Sequence, residues 1–372
     1  MTRERFTVIY HIVGEQAIAL EKAKTLCLEQ TVEMGDTLVP DGFIRDHIVG
    51  QLEQFSALTN PIYEAKISYD IETSAFELTQ LLNVIFGNSS IKAGIKVHRL
   101  NFGDEMLSHF SGPRFGIAGL RKIVGIFDKP LLCTALKPMG KSPSEIAKLA
   151  YDFALGGIDI IKDDHGLSNQ PFCPYEHRVK ACTEAVANAN QKTGKNSIYV
   201  PNITAPATEI MQRVHYAKHQ GAGGLLIAPG LTGFDTMRAL AEDETVNLPL
   251  ISHPAFLGSM VTSSENGFSH AVLFGQLQRL AGADASIYPN YGGRFGFSRE
   301  ECQGIAESCQ ENMGHYPSIF PAPGGGMRLE QVPDMLNLYG NDIIFLIGGA
   351  LYSHSMDLVD NVQYFLSLVG RK

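Results

Sequence analysis

The chain has 372 residues, with 30 Lys and Arg against 39 Asp and Glu, so its net charge is −9 with His neutral. Hydrophobic residues make up 44% and charged residues 19%, a composition typical of a globular protein long enough to form two domains. The acidic balance argues against a nucleic-acid partner. Apolar stretches of at most about nine residues are too short to span a bilayer, so we expect no membrane partner.

From the N-terminal sequence we expect a cytoplasmic protein. Residues 1–14, MTRERFTVIYHIVG, are charged and then strand-like, without the apolar region and cleavage site of a signal peptide. The six cysteines are scattered, with no CxxC or CxxH spacing. We therefore expect neither a zinc site nor a disulfide framework.

Residues 1–111 predict an N-terminal α+β (ferredoxin-like) domain. The expected elements are a strand at 5–13, a helix at 14–29, a strand at 65–71, a helix at 77–86 and a strand at 91–101. The sequence SGPRFG, rich in Gly and Pro, then predicts a linker. We expect a second domain to begin at residue 112.

Residues 112–372 predict a C-terminal (β/α)8 barrel of the TIM type. Short apolar runs alternate with amphipathic helices, at 131–138, 158–164, 197–203, 224–230, 248–254, 285–290, 318–324 and 342–349. Apolar strands joined by helices indicate a buried parallel sheet. Eight such units over about 260 residues fit a closed barrel. A doubly wound open sheet is the structural alternative.

Polar residues gather at the ends of these strands, where a barrel places its active site. They include Lys137, the run Lys162, Asp163, Asp164 and His165, and then Asn202, Thr204, Ser252, His253, Tyr288 and Asn290. Two acids, a His and a Lys at one strand end suit a divalent metal site or acid–base chemistry. The alternative is a solvated salt-bridge cluster. In the same way, Lys137 is either a base or a surface lysine, and His253 is either functional or structural.

Two glycine clusters follow the last two strands of the predicted barrel. Gly324, Gly325 and Gly326 follow the seventh strand, and Gly348 and Gly349 follow the eighth. Glycines there allow backbone N–H groups to approach a phosphate closely. They would also serve tight turns that need a positive φ. The position of both clusters in adjacent loops favours a phosphate site.

These residues lie in segments that resemble the RuBisCO superfamily, and specifically the RuBisCO-like proteins that do not fix CO2. The resemblance extends from about Glu29 to about Ser355. It rests on FSGPRFGI (110–117), PLLCTALKPMG (130–140), GGIDIIKDDHGLSNQPF (156–172), NITA (202–205), SHPA (252–255), GGGM (324–327) and GNDIIFLIGGALYSH (340–354). The combination of KP on one strand with KDD on the next is highly specific.

The resemblance implies an antiparallel homodimer in which Glu29 and Asn88 contribute to the partner's site. It also implies that Lys162 reacts with CO2 to form a carbamate, which binds Mg²⁺ together with Asp164 and the residue at position 165. Lys137 matches the lysine that removes the proton α to the substrate carbonyl. The remaining matches are an active-site His at His253, the phosphate loops at Gly324, Gly325, Gly326, Gly348 and Gly349, and a substrate contact at Asn202.

The departures from the family pattern exclude carboxylation of ribulose bisphosphate. His165 replaces the glutamate ligand, so we expect it either to ligate the metal weakly or to act as an acid or base. Met139 replaces the second lysine of KPK, and Pro254 replaces an arginine. The loop YPNYGGRFGF lacks the lysine that orients CO2. The loss of the arginine and the loop lysine suggests a substrate with a single phosphate.

The favoured activity is the isomerisation of 5-methylthioribulose 1-phosphate to a 1-methylthioxylulose 5-phosphate, a reaction of sulfur salvage. Moving a carbonyl along a sugar requires protons to be returned as well as removed, which suits an additional acid–base residue such as His165. The alternatives are a 2,3-diketo-5-methylthiopentyl-1-phosphate enolase, a 3-oxo-isoapionate-4-phosphate decarboxylase and a non-catalytic paralogue.

Overall fold

Buried and half-buried residues alternate along Arg5–Val13, which makes this segment the central strand, β1, of a five-stranded sheet in the computed structural model. The structure describes residues 3–371. Within them, the chain forms two units. The first contains the residues up to Ser111 with Leu257–Leu277 and Asn312–Tyr316, and the second contains Gly112–Phe256, Gln278–Glu311 and the residues from Pro317 onward. The predicted division into domains at residue 111 stays a prediction.

The first unit has the predicted ferredoxin-like α+β fold. Its elements are β1 (Arg5–Val13), α1 (Gln16–Glu29), β2 (Gln51–Thr59), β3 (Ile62–Asp70), α2 (Leu78–Phe86), β4 (Ile95–Asn101) and α3 (Asp104–Ser108), with the short strand β10 (Gly267–Phe268) added later in the chain. The sheet order is β10-β4-β1-β3-β2. Strands β1 to β4 pair antiparallel, and β10 pairs parallel with β4.

Strand β2 is absent from the sequence-based prediction. It is an edge strand with no fully buried residue, so its sequence QLEQFSALT lacks the alternation that marks a half-buried strand. The predicted strand at 65–71 is the longer β3, and the predicted strand at 91–101 begins only at Ile95. A short 3₁₀ turn at Asn88–Ile91 precedes it.

The second unit alternates parallel strands with helices. Its strands are β5 (Leu131–Leu136), β6 (Ile160–Asp163), β7 (Ile198–Val200), β8 (Leu225–Ile227), β9 (Leu250–Ser252), β11 (Ala285–Pro289), β12 (Phe320–Gly324) and β13 (Ile344–Leu346). Its helices are α4 (Gly116–Val124), α5 (Pro143–Gly156), α6 (Tyr175–Thr193), α7 (Ile210–His219), α8 (Pro229–Thr232), α9 (Phe234–Glu242), α10 (Leu277–Leu280, which begins in the first unit), α11 (Arg299–Gln310), α12 (Val332–Tyr339), α13 (Gly349–Ser353) and α14 (Leu358–Leu368).

The eight parallel strands found among residues 112–371 close into the predicted barrel. They form two four-stranded sheets, in the orders β12-β11-β9-β8 and β13-β5-β6-β7. A parallel bridge between Asn202 and Leu226 joins the sheets on one side. On the other side, a Cβ placed on Gly324 would lie 3.0 Å from the Leu346 side chain, so β12 and β13 are neighbours. The alternative of an open doubly wound sheet is therefore wrong.

Apolar side chains fill the barrel, as in other (β/α)8 folds. Residues of its strands, such as Ile160, Ile251 and Phe320, form one buried cluster with Leu120 and Val124 of α4. At least fourteen buried residues belong to this cluster, so the barrel is a packed core and not a channel. None of the helices within residues 3–371 combines the length and the apolar composition of a membrane-spanning segment.

Candidate active site

The loops after three strands bring the predicted site residues together at one end of the barrel. Lys137 directly follows β5, and Lys162 lies inside β6. Asp164 and His165 follow β6, and His253 follows β9. Because all three strands are parallel, their carboxyl ends share one rim of the barrel. The structure thus places five residues of three distant sequence segments in one neighbourhood.

Asp164 lies at the centre of this group. Its Oδ2 is 2.5 Å from Nζ of Lys137, and its Oδ1 is 3.4 Å from Nδ1 of His165. The backbone N–H of Gly166 also donates to Oδ1, at 3.1 Å. Burial opposes the charge on Asp164, but the hydrogen bonds from Lys137 and Gly166 outweigh it and lower the pKa of this carboxyl. Asp164 is therefore an anion held between an amine and an imidazole.

The imidazoles of His165 and His253 stack on each other, with ring centroids 4.4 Å apart and planes inclined by 14°. Burial, and then the positive charges of the two site lysines, lower the pKa of both rings, that of His253 to about 2. The backbone N–H of Ala255 donates to Nδ1 of His253 at 3.2 Å. His253 is therefore neutral, and this hydrogen bond assigns its ring proton to Nε2.

Lys162 is almost completely buried, with 2% of its surface exposed. Its Nζ donates to the backbone oxygen of Asp163 at 3.0 Å. Burial lowers the pKa of the Lys162 amine, and the charge of Lys137 acts in the same direction. A lowered pKa increases the fraction of neutral amine, which is the form that can react with CO2.

The donor set fits Mg²⁺ only if Lys162 carries an added carboxylate. Within residues 3–371, no three His, Cys, Asp or Glu side chains are grouped so that they could hold a metal ion. Asp164 alone would supply a carboxylate, and His165 would supply the imidazole beside it. A carbamate on Lys162 would add the second oxygen ligand, which suits the preference of Mg²⁺ for oxygen.

The acid next to Asp164 has a different environment. Asp163 is fully buried, where it accepts hydrogen bonds from Nε of Arg178 at 3.1 Å and from the hydroxyl of Tyr199 at 2.7 Å. The backbone N–H of Asn202 donates to the same carboxylate at 3.0 Å. Because these donors occupy both oxygens, Asp163 anchors the end of β6 and is not a site ligand.

The amide of Asn202 holds the loop that carries His165. Its Nδ2 donates to the backbone oxygens of His165 and Leu167 at 3.0 and 2.9 Å, and its Oδ1 accepts from the backbone N–H of Thr204 at 3.1 Å. Both ends of the amide are therefore used within the protein. These contacts give Asn202 a structural role in this loop, and its predicted contact with the substrate stays a prediction.

The first predicted phosphate loop packs tightly against the segment after β11. Gly325 and Gly326 have φ angles of +87° and +98°. A Cβ on Gly325 would lie 2.9 Å from the ring of Phe295, and one on Gly326 would lie 2.5 Å from Cγ of Arg294. Backbone conformation and close packing thus both require glycine here. They do so whether or not the loop binds phosphate.

The second predicted phosphate loop is more open. A Cβ on Gly349 would meet no atom within 4 Å, and one on Gly348 would lie 3.7 Å from Cε of Lys137. The turn at Gly348 therefore lies directly beside the side chain of the predicted base. Its role in binding phosphate stays a prediction.

Two residues that the sequence analysis did not single out belong to this site. The positive charge of Arg294 contributes to the low pKa of His165, and its backbone N–H donates to the oxygen of Gly325 at 2.9 Å. Arg294 thus places a cation next to the first glycine loop. In the sequence, it was visible only as a lone arginine among glycines.

Tyr352 hydrogen-bonds to the end of β5, and no sequence pattern indicated this contact.

Glu29 and Asn88 contact each other within the first unit. Nδ2 of Asn88 donates to Glu29 at 3.3 Å and to Glu33 at 2.8 Å. Nζ of Lys92 lies 2.6 Å from the other Glu29 oxygen and lowers the pKa of that carboxyl. Their predicted contribution to the site of a partner subunit stays a prediction.

Comparisons with known proteins agree with this architecture. The family described as ribulose bisphosphate carboxylase large chain, catalytic domain, matches residues 116–363. A protein of Rhodospirillum rubrum named 5-methylthioribulose-1-phosphate isomerase is 35% identical over 368 residues, which cover 99% of this chain and 96% of the relative. A 2,3-diketo-5-methylthiopentyl-1-phosphate enolase of Bacillus pumilus is 32% identical over 320 residues, covering 85% of this chain and 79% of the relative.

Solved structures show the same likeness. The crystal structure of a Rubisco-like protein from Rhodopseudomonas palustris superposes with a TM-score of 0.89 at 34% identity, covering 99% of this chain and 98% of that one. A dimeric archaeal Rubisco from Hyperthermus butylicus superposes with a TM-score of 0.89 at 25% identity, covering 100% and 91% of the two chains. The chain therefore belongs to the RuBisCO large-chain family, and within it to the RuBisCO-like proteins.

Proposed function

We propose that this protein is a non-carboxylating enzyme of methionine salvage that isomerises 5-methylthioribulose 1-phosphate to 1-methylthioxylulose 5-phosphate. One observation carries the proposal: Asp164 is flanked by an amine 2.5 Å away on one oxygen and by an imidazole 3.4 Å away on the other. The site therefore offers two different groups for proton transfer. The R. rubrum relative of that name, similar over nearly the full length of both chains, supports the same choice.

The chemistry of the isomerisation explains why two such groups are needed. The carbonyl moves from C2 to C4 of the starting sugar through two successive enediols. In each step, one proton leaves the carbon next to the carbonyl and one proton is returned to the former carbonyl carbon. An enolase returns a proton to carbon less often than this isomerase does. General acids and bases on both sides of the reacting carbons therefore suit the isomerase.

The side chains divide these tasks. Lys137 removes the proton α to the carbonyl, and His165, half exposed and beside Asp164, exchanges protons at the neighbouring carbon. His253, neutral with its proton on Nε2, donates a hydrogen bond to a substrate oxygen. When bound, Mg²⁺ held by Asp164 and a carbamate on Lys162 would polarise the carbonyl and stabilise negative charge on the enediol oxygens. Because His165 serves proton transfer here, it would be only a weak ligand of the ion.

The two ends of the substrate meet different surfaces. The turn at Gly324–Gly326, with Arg294 beside it, and the turn at Gly348 and Gly349 bind the single phosphate. Met139 is 51% exposed, and its Cε lies against the loop of Asp164, because a Cβ on Gly166 would come within 2.8 Å of it. This exposed thioether provides an apolar surface for the methylthio group.

The remaining expectations complete the proposal. We infer a homodimer in which Glu29 and Asn88 act in the site of the partner, as the family resemblance implies. A related archaeal Rubisco is described as dimeric. The cytoplasmic location rests on the sequence alone and stays a prediction.

The second candidate is the enolisation of 2,3-diketo-5-methylthiopentyl 1-phosphate. Several relatives of 32–34% identity carry the name of that enolase. The His that follows the KDD motif in this chain favours the isomerase, because enolases of the superfamily that the sequence resembles usually have Glu there.

A substrate screen in D2O tests the choice between the two reactions. The purified protein is incubated with Mg²⁺ and bicarbonate and with each candidate substrate, and phosphorus and proton NMR spectra are followed over time. We expect conversion of 5-methylthioribulose 1-phosphate to a new ketose phosphate carrying deuterium on carbon. Turnover of the diketo compound alone would overturn the isomerase in favour of the enolase. Turnover of neither would overturn both.

A further inference from the structure

The hydroxyl of Tyr352 hydrogen-bonds to the end of β5 at the point where the neighbouring strand, β13, has ended. Strand β13 pairs with β5 as far as Leu346 and Cys133, and the backbone N–H of Ile347 donates to the oxygen of Cys133 at 3.0 Å. The chain then turns at Gly348 into α13. Tyr352 lies on this helix, so its side chain reaches β5 from the same side that β13 has just left.

This hydroxyl bridges two backbone groups of β5 and its end. The N–H of Lys137 donates to the Tyr352 oxygen at 3.2 Å, and the Tyr352 hydroxyl donates to the backbone oxygen of Ala135 at 3.2 Å. The backbone N–H and C=O groups of every second residue in a strand point towards the same neighbouring strand. The backbone groups of Cys133, Ala135 and Lys137 therefore all point towards the side of β13. One side chain thus takes over the hydrogen bonding that the departing strand no longer provides.

The ring of Tyr352 is held in place by its surroundings. It meets Phe153 of α5 edge to face, with centroids 5.4 Å apart and planes at 88°. Burial raises the pKa of the hydroxyl to about 12, which keeps it protonated and able to donate. Packing and protonation therefore fix both hydrogen bonds at neutral pH.

These contacts set the backbone from which Lys137 extends. The Lys137 side chain passes Gly348, as the 3.7 Å separation of its Cε from a Cβ placed there shows. Its Nζ then reaches Asp164 at 2.5 Å. We propose that Tyr352 is a positioning residue for Lys137 and ties this base, at the end of β5, to α13, the helix that follows the turn at Gly348. This assignment rests on the proposed role of Lys137 as the base.

The test is the variant Tyr352→Phe, which removes the hydroxyl and keeps the ring on Phe153. We expect kcat for 5-methylthioribulose 1-phosphate to fall about 10- to 100-fold, the range for a small misplacement of a reacting group. KM should change less than about twofold, because the substrate contacts remain. Tyr364→Phe is the matched control, since Tyr364 lies on α14 and stacks on His354. It should leave both constants unchanged.

A second measurement needs no substrate. Competitive acetylation with acetic anhydride, read by peptide mass spectrometry, compares the reactivity of Lys137 with that of Lys148, which pairs with Asp152 on α5. In Tyr352→Phe, we expect the Lys137 to Lys148 ratio to rise up to about fivefold, because a displaced Lys137 amine loses its partly exposed ion pair with Asp164.

The two measurements separate this proposal from the proposed function. An unchanged labelling ratio in a folded Tyr352→Phe protein would overturn the positioning role, whether or not kcat falls. An inactive wild-type protein whose labelling ratio rises in Tyr352→Phe would overturn the isomerase and keep the positioning role. A rise in KM for Tyr352→Phe without a fall in kcat would also overturn the positioning role, because that result would place Tyr352 in substrate binding.

Discussion

Nζ of Lys137 lies 2.5 Å from Oδ2 of Asp164, so the proposed base and the proposed carboxylate ligand form an ion pair. Lys137 is 38% exposed and Asp164 is 15% exposed, so solvent partly screens the attraction. A carboxylate oxygen that accepts a hydrogen bond from an ammonium group at this distance binds a metal ion less tightly. Lys137 and a divalent ion therefore compete for Asp164.

This competition predicts that Lys137→Met binds Mg²⁺ more tightly than the wild-type protein. The gain should be at most about tenfold, because the pair is partly exposed. Isothermal titration calorimetry with Mg²⁺ in bicarbonate buffer measures it. Lys141→Met is the control, since Lys141 lies in the same loop but pairs with Glu145 at 3.6 Å. Weaker binding in Lys137→Met would show that the amine assists the ion.

Lys162→Met should abolish the effect of CO2 on metal binding. We expect the affinity of the wild-type protein for Mg²⁺ to be at least about tenfold higher with bicarbonate than without it, because a carbamate would add an oxygen ligand beside Asp164. Methionine has a similar length, fits a buried position and cannot form a carbamate. Lys180→Met, a change at an exposed position of α6, should keep the bicarbonate effect. The same titrations measure all three proteins, and a bicarbonate effect that persists in Lys162→Met would exclude the carbamate.

We expect the burial of neutral His253 to make the metal-free protein less stable in acid. Burial holds the pKa of His253 at about 2 in the folded state, against about 6.5 in the unfolded chain. The unfolded state therefore binds the extra proton between these values. The contribution to stability is complete above pH 6.5 and is lost as the pH falls towards 2, by about 1.4 kcal/mol per pH unit.

His253→Gln should flatten this dependence. Thermal melts between pH 7.5 and 4.5 are expected to show a smaller fall in Tm for the variant than for the wild type. His177→Gln, at an exposed position of α6, is the control and should retain the wild-type slope. Parallel profiles for His253→Gln and wild type would mean that the pKa of His253 is the same in the folded and unfolded states.

The exposed side chain of Met139 predicts selectivity for an apolar substrate tail. Met139→Lys should raise KM for 5-methylthioribulose 1-phosphate about 5- to 20-fold, because burial of a small apolar group contributes about 1 kcal/mol or more. KM for ribulose 1-phosphate, which lacks the methylthio group, should change little. Met139→Leu conserves volume and should stay within about twofold for both sugars. Steady-state kinetics on both sugars measure the effect, and equal losses for both in Met139→Lys would move Met139 out of the tail site.

Most of the barrel could be predicted because its strands are apolar on both faces. Runs such as LLCTAL in β5 have no alternation and end in charged residues, so both the strand and its functional end were visible. Strand β2 was not visible, because an exposed edge strand has no buried side to mark it. Its existence depends on pairing with β3, which no local pattern records.

The candidate site was predictable in part for a similar reason. Lys137, Lys162 and Asp164 stand out as charges at the ends of apolar strands. The roles of neighbouring residues depend on three-dimensional contacts, as with Asp163, whose carboxylate pairs with Arg178. Tyr352 was missed because its partners are backbone groups more than 200 residues away. Distant hydrogen bonds of this kind leave no spacing in the sequence.

The most direct test of the account is the incorporation of deuterium from D2O into 5-methylthioribulose 1-phosphate, followed by proton NMR with wild type and with Lys137→Met. We predict that the wild-type protein incorporates deuterium at the carbon next to the carbonyl. Lys137→Met should slow this exchange at least about 100-fold, the contribution of a positioned general base. Exchange at the wild-type rate in the variant would contradict the assignment of Lys137 as the group that removes the proton.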